Sequence, residues 1–240
     1  MLQSDPSSSD REAPASHAGN RRRDRVPSAD VMGTSARLFD LWSGFYDNEW
    51  VQSLAYRPVH DTVLDSLRRA PRRAILDVGC GTGLFATRIS DELRDSRVVG
   101  CDFSRGMLGR ARRRCRRVEW VQGNALDLPF SEGAFDTVVS TEAFHWFPEP
   151  GVALSQIFRV LAPGGQLMLA LINPPSALVS DLVRAGSRWI GEPVLWPTRP
   201  RLRGWLERAG FDLESQRRIR RIPFGQLLPP VLSIATRPSS

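Results

Sequence analysis

Hydrophobic and polar positions change their spacing several times along the chain. Residues 1–30 carry few large apolar side chains among many Ser, Pro, Asp and Arg, which predicts a disordered tail ahead of a domain spanning 31–240. Between Ala36 and Trp50, the residues Leu38, Phe39, Leu41, Trp42, Phe45, Tyr46 and Trp50 make a dense aromatic stretch, read as one or two short helices. From Pro58 to Arg69, Val59, Val63, Leu64 and Leu67 recur near helical spacing. Pro58 suits a first turn, where a backbone N–H has no intrahelical partner to lose.

From Arg73 the spacing settles into an alternation. Short apolar runs at Ala74–Val78, Val98–Asp102, Val118–Val121, Phe135–Ser140 and Gln166–Ile172 predict five strands. Between them, Leu84–Arg94, Ser104–Arg117 and Val152–Leu161 have helical spacing, with Ser104 placed as an N-cap and Pro163-Gly164-Gly165 as a helix stop. Strands alternating with helices mean βαβ units and a mainly parallel sheet. Pro200–Ala209 predicts a last helix ended by Gly210. Leu213–Ile222 and Val231–Thr236 have no helix between them, so they predict an antiparallel hairpin. The fold class is therefore α/β: a Rossmann-like, doubly wound, mainly parallel seven-stranded sheet with a C-terminal antiparallel hairpin. Residues 173–200 are too long for an ordinary connection, so they predict an insertion with its own helix, Ala177–Ile190. Its apolar residues, Leu178, Leu182, Val183, Trp189, Ile190, Val194, Leu195 and Trp196, are expected at a pocket mouth or in the core.

Composition changes this picture little. Of 240 residues, 41% are hydrophobic and 25% charged, as in a globular protein. The net charge of +7 invites a nucleic-acid reading, but all 33 basic residues are Arg, a bias that a binding surface does not require. Seven of these lie in 105–117 and seven in 201–221, either as anion sites or as solvated helix faces. No apolar run reaches the ~18–20 residues of a membrane span. Arg21-Arg22-Arg23 is followed by no apolar stretch of a secretion signal. Cys80, Cys101 and Cys115 form no C-x-x-C pair, which predicts reduced thiols and a cytoplasmic location.

The candidate chemistry starts in the turn after the first strand, Leu76-Asp77-Val78-Gly79-Cys80-Gly81-Thr82-Gly83. Glycines there let backbone approach a ligand and present N–H groups to it. Asp102 ends the next strand and can accept two hydrogen bonds from a ribose diol, or it can cap the following helix. Gly123-Asn124-Ala125 follows the third strand, where a polar residue before a small one can meet an adenine edge.

Together with Phe39-Asp40, Tyr46-Asp47, Asp102-Phe103-Ser104, Met107-Leu108, Leu128-Pro129-Phe130, Phe135-Asp136 and Leu161-Ala162-Pro163-Gly164-Gly165, these residues resemble the class I S-adenosylmethionine-dependent methyltransferases. The small-molecule branch of ubiquinone and menaquinone biosynthesis is the most similar. The resemblance implies S-adenosyl-L-methionine as cofactor. It implies that Asp77, Gly79, Cys80, Gly81 and Gly83 hold the methionine moiety and that Asp102 holds the ribose. Phe103 and Met107 would pack on the adenine, Asn124 and Ala125 would meet its edge, and Thr141 would lie beside the methionine end. Many relatives carry Asp where this chain has Asn124.

Methyl transfer from a sulfonium needs little beyond a dry pocket that aligns acceptor and methyl. Where a proton must leave the acceptor, His145 in Glu142-Ala143-Phe144-His145-Trp146-Phe147 is the leading catalytic candidate, and Tyr46 the second. A histidine satisfied by a backbone carbonyl and a tyrosine packed in a lid are the alternatives. The lid comprises the N-terminal helical piece 36–70 and the insertion 173–200. The acceptor is expected to be a small, largely apolar or aromatic molecule, with no metal, no nucleic-acid partner and no membrane insertion. A nicotinamide-dependent dehydrogenase is a rival class, but its turn would place the third glycine one residue later. The other rival, a non-catalytic cofactor-binding protein, predicts a degraded glycine turn, which is not seen.

Overall fold

The computed structural model describes residues 56–188, 194–219 and 230–239. The 1–30 tail, the aromatic stretch with Phe39, Tyr46 and Trp50, and Trp189 and Ile190 of the insertion lie outside the described residues.

The described elements are α1 (Arg57–Leu67), β1 (Ala74–Val78), α2 (Leu84–Glu92), β2 (Arg97–Asp102), α3 (Arg105–Arg114), β3 (Glu119–Gln122), β4 (Phe135–Thr141), α4 (Pro150–Val160), β5 (Leu161–Ile172), α5 (Ala177–Arg188), α6 (Arg199–Arg208), β6 (Asp212–Arg218) and β7 (Pro230–Thr236). A 3-10 turn at Phe144–Trp146 follows β4. The seven strands form one sheet in the order β3-β2-β1-β4-β5-β7-β6. The first five strands pair in parallel, and β7 pairs antiparallel with both β5 and β6.

Central parallel strands are covered on both faces, which is why β1 reads as an apolar run, broken only by Asp77, rather than an alternation. One face packs against α1 and α2 through Val59, Val63, Leu64, Phe85 and Ile89. The other packs against α4 and α6 through Leu154, Ile157, Leu202 and Leu206. Ser104 caps α3, its hydroxyl accepting from the Met107 amide at 3.1 Å. Gly210, at φ +92°, closes α6 as expected.

Two helix ends differ from expectation for a visible reason. The helix α4 stops at Val160, and Pro163-Gly164-Gly165 lies inside β5 as an irregularity opposite Phe135 and Thr137. The helix stop is supplied from elsewhere: the Arg237 guanidinium donates to the carbonyls of Phe158, Arg159 and Leu161. Helix α3 ends at Arg114, three residues early, where the Trp120 indole takes the Cys115 carbonyl at 2.8 Å. Strand β6 runs to Arg218, and the Ile219 amide donates to the Pro230 carbonyl at 2.8 Å; residues 220–222 of the expected strand lie outside the described residues.

Helix α5 inverts the usual pattern. Leu178 and Leu182 are 70% and 62% exposed, while Ser180 and Ser187 are buried, so the two leucines do not enter the core. The serines face inward because their hydroxyls are used. Ser180 donates to the Trp196 carbonyl at 2.6 Å, and Ser187 accepts from the Val194 amide at 2.9 Å.

The Trp120 indole lies across Gly100, its partner in the parallel register, and reaches Gly83 of the turn after β1. A Cβ on Gly100 would sit 2.4 Å from this ring and 3.0 Å from Cys80 Sγ. Gly100→Ala is therefore expected to destabilise by about 1–3 kcal/mol through overpacking. That corresponds to a Tm lowered by roughly 2–4 °C per kcal/mol. Gly109→Ala, in open helix surface on α3, should shift Tm the other way, since Ala gains roughly 0.5–1 kcal/mol over Gly there. Thermal melts of both variants check this; equal melting of Gly100→Ala and wild type would contradict the packing described.

Candidate active site

The strand order reverses direction at β1, which lies between β2 and β4. In open α/β sheets ligands bind outside the carboxyl ends of the strands at such a switch point. Every described candidate residue lies there: Asp77 to Gly83 at β1, Asp102 to Met107 at β2, Asn124 and Ala125 after β3, and Thr141 to His145 after β4.

Gly79, Gly81 and Gly83 have φ of +75°, +54° and +78°, a region that side chains with a Cβ rarely adopt. Their roles separate on inspection. A Cβ on Gly79 would meet Ala143 Cβ at 2.4 Å, and one on Gly83 would meet Trp120 at 2.4 Å, so these two are required by packing. Only Gly81 faces open space, with no neighbouring atom within 4 Å of where a Cβ would stand. The turn also braces itself. The Gly79 and Cys80 amides donate to the Cys101 carbonyl at 2.8 and 3.1 Å, Gly81 donates to Asp102 Oδ2 at 2.8 Å, and Gly83 donates to the Cys80 carbonyl at 3.0 Å. The expectation that glycine amides present themselves to a ligand is corrected to that extent: these four are engaged, and the turn offers close approach at Gly81.

Asp77 is 1% exposed, and neither carboxylate oxygen has a hydrogen-bond partner. Burial, then the nearby Asp102, raise its pKa to about 8; the Ala86 amide opposes them without closing a hydrogen bond. Asp102 joins the first two strand ends, accepting from Gly81 and, through Oδ1, from the Ser104 amide at 2.9 Å. The same burial and acidic neighbours push the Cys80 thiol well up and the Cys101 thiol to about 12, so both stay protonated. Cys80, Cys101 and Cys115 are all free.

Phe103 is 36% exposed, while Met107 is buried on α3. Asn124 departs from its expected role in one respect. Its side-chain oxygen already accepts from the Leu126 amide at 3.0 Å, forming the turn that also pairs Asn124 with Asp127. Ala125 lies inside that turn, and Thr141 ends β4 opposite Ala170.

Past Thr141, Glu142 holds φ +53°, the one non-glycine in the left-handed region among the described residues. Its amide is fixed by the Ala170 carbonyl at 2.8 Å. Such a conformation costs energy and concentrates at functional sites. It turns the chain so that Ala143 and Phe147 abut Gly79 and His145 is 7% exposed. Burial pushes the His145 imidazole down to about 3, so the ring is neutral through the physiological range. Its Nδ1 has no partner. The Leu195 amide donates to the His145 carbonyl at 2.9 Å, which brings the Trp196 ring to 6.3 Å from the imidazole.

Comparison with known proteins bears on this arrangement. The family profile described as "Methyltransferase domain" matches residues 76–169, from the glycine turn to β5. A demethylmenaquinone methyltransferase of Clavibacter sepedonicus is 32% identical over 168 residues, covering 60% of this chain and 68% of that one. The chain belongs to the class I S-adenosylmethionine-dependent methyltransferases. Another demethylmenaquinone methyltransferase, from Thermus thermophilus, is 40% identical over 114 residues; the match spans 46% of this methyltransferase and about half, 51%, of the relative. A solved S-adenosylmethionine-dependent methyltransferase from Mesorhizobium loti shares the fold, with a TM-score of 0.62 and 22% identity over 75% of this chain and 96% of that one.

S-adenosylmethionine is the cofactor, and the residues present fit it. A buried carboxylate with two unpartnered oxygens suits the cofactor's ammonium group, and Gly81 leaves space where backbone must be approached. Among the described residues no helix is long and apolar enough to cross a membrane, and no three His, Cys, Asp or Glu gather as a metal site. Sequence reasoning missed Trp120 beneath the turn and the strained Glu142. The first was marked by Gly100, an unexplained glycine inside a strand; nothing in the sequence marks the second.

Proposed function

We propose that this methyltransferase transfers the methyl group by in-line displacement to a small, largely apolar or aromatic organic acceptor. The observation that carries the cofactor half is Asp77: a buried, unpartnered carboxylate at the switch point is a site for a cation. Bound there, the cofactor supplies an electrophilic methyl on a sulfonium and a neutral leaving group. Asp77 would pair with the ammonium, Asp102 would hold the ribose hydroxyls, Phe103 and Met107 would pack on the adenine, Asn124 and Ala125 would meet its edge, and Thr141 would lie beside the methionine end. Gly79, Cys80 and Gly83 set the turn from which Gly81 makes room.

The acceptor half rests on the lining. Trp146 and Trp196 stand with ring centroids 5.1 and 6.3 Å from the His145 imidazole, and Phe144 packs on Phe147 in the same turn, so the surroundings of His145 are aromatic. Positioning then carries most of the acceleration. His145 enters as a neutral imidazole, the form that can take a proton, and its low basicity limits what proton transfer adds. The demethylmenaquinone methyltransferase relatives favour a quinol-type acceptor within this class.

A panel of phenols, quinols, fatty acids and small polar acids, assayed with methyl-labelled cofactor, tests the reading. The phenols and quinols are expected to be the methylated members. Turnover confined to the small polar acids would overturn the acceptor class. His145→Ala and Tyr46→Phe, measured on the best acceptor, report the proton-transfer share, expected to be less than the ~100-fold at the low end of general-base contributions.

A further inference from the structure

Three buried polar atoms without partners gather where β4, β5 and the insertion meet, beside the glycine turn. They are His145 Nδ1, Trp196 Nε1 and Asn173 Oδ1. Their settings are otherwise well satisfied. Asn173 is 2% exposed, and its Nδ2 donates to the Pro197 carbonyl at 2.6 Å. Trp196 is held through its own carbonyl by Ser180, and the adjacent Leu195 amide is held by the His145 carbonyl. Three hydrogen bonds thus fix the segment around Trp196, while His145 Nδ1 and Trp196 Nε1 are left without partners. Buried donors and acceptors are ordinarily paired, and an unpaired one carries a desolvation cost that a ligand atom can recover.

The two rings meet nearly at right angles, 78°, with centroids 6.3 Å apart. The chemistry of the pair is complementary. An indole N–H can only donate, whereas the unprotonated nitrogen of a neutral imidazole can accept. A hydroxyl group satisfies both at once: its oxygen takes the indole hydrogen and its own hydrogen goes to the imidazole. An ether or ketone satisfies only the indole, an ammonium only the imidazole, and a hydrocarbon neither.

We infer that Trp196 and His145 together anchor a hydroxyl of the acceptor, which makes Trp196 a specificity-determining residue and hydroxylated aromatics the preferred class. This rests on the acceptor reading given above and narrows it. It also gives the insertion a task that its exposed leucines do not suggest, since Ser180 and Ser187 face inward to hold Trp196 and Val194 in place.

The test uses the full chain saturated with S-adenosylhomocysteine and compares 1-naphthol with naphthalene by calorimetry. A site built to bond a hydroxyl discriminates strongly against the analogue lacking it, so the wild type is expected to prefer 1-naphthol by at least about tenfold. In Trp196→Phe the preference should fall to within about threefold, and in His145→Phe likewise. S-adenosylmethionine binding, read on cofactor-free aliquots of the same preparations, reports that each variant is folded, and His145→Phe probes the other half of the anchor should Trp196→Phe fail to fold. An unchanged preference in a folded variant overturns the anchor, as does a wild type indifferent to the hydroxyl. A wild type that binds no S-adenosylmethionine overturns the methyl-transfer reading, and the anchor with it.

Discussion

Asp102→Ala is expected to weaken S-adenosylmethionine binding at least tenfold. A charged hydrogen bond contributes about 1.5–3 kcal/mol, and a carboxylate on a ribose diol makes up to two. The substitution also releases the Gly81 and Ser104 amides, so the turn loses the brace that holds Gly81 in its left-handed conformation. Asp102→Asn keeps an oxygen for one of those amides and should lie between Ala and wild type. Calorimetric titration of the three proteins measures the series. Equal affinity in Asp102→Ala would remove the residue from the cofactor site.

Asp77→Asn should separate binding from stability. The folded-state pKa of Asp77, about 8, stands above the ordinary carboxylate value of 3.8. The folded protein therefore binds a proton that the unfolded chain releases across that interval. The stability this group contributes is complete below about pH 4 and is lost as pH rises through about 8. Without cofactor, the wild type should melt progressively lower from pH 5 to pH 9, and Asp77→Asn should flatten that slope and melt higher at pH 8. The facing titratable groups, Asp102, Cys80 and Cys101, are unchanged in the variant. The same substitution removes the charge opposite the ammonium, so affinity should fall at least tenfold. Parallel melting slopes in the two proteins, or an unaltered titration, would contradict this assignment. A residue that costs stability when empty and binds ligand when charged is the usual trade at a functional site.

Strands β1 to β5 were legible in the sequence because strands covered by helices hold short runs rich in Val, Ile, Leu and aromatic residues, four of them closed by Gly79, Asp102, Gly123 and Asn173. Asp77, Asp102 and the glycine turn were legible because their spacing reflects backbone geometry. What escaped the sequence was set by contacts distant along the chain. The Arg237 guanidinium ends α4 from 77 residues beyond Val160, so no local stop signal describes it. The inward serines of α5 are explained only by carbonyl and amide groups of residues 194–196. Asn124 looked available as an acceptor because a sequence does not show that its oxygen closes its own turn. The partnership of His145 with Trp196 joins residues 51 apart, and neither flank marks it.

The position of β7 has a consequence for how the chain is made. Because β7 lies between β5 and β6, β6 cannot join the sheet when it is synthesised; its only neighbour, β7, comes after it. Strands β1 to β5, with the whole cofactor-binding edge, can assemble on a ribosome while β5 still has an open flank. Such an open edge is a template for pairing with other chains. Synthesis of residues 230–236 closes it, so the cofactor-binding half precedes the completion of the sheet, and the interval between them is when a nascent chain is most exposed to association.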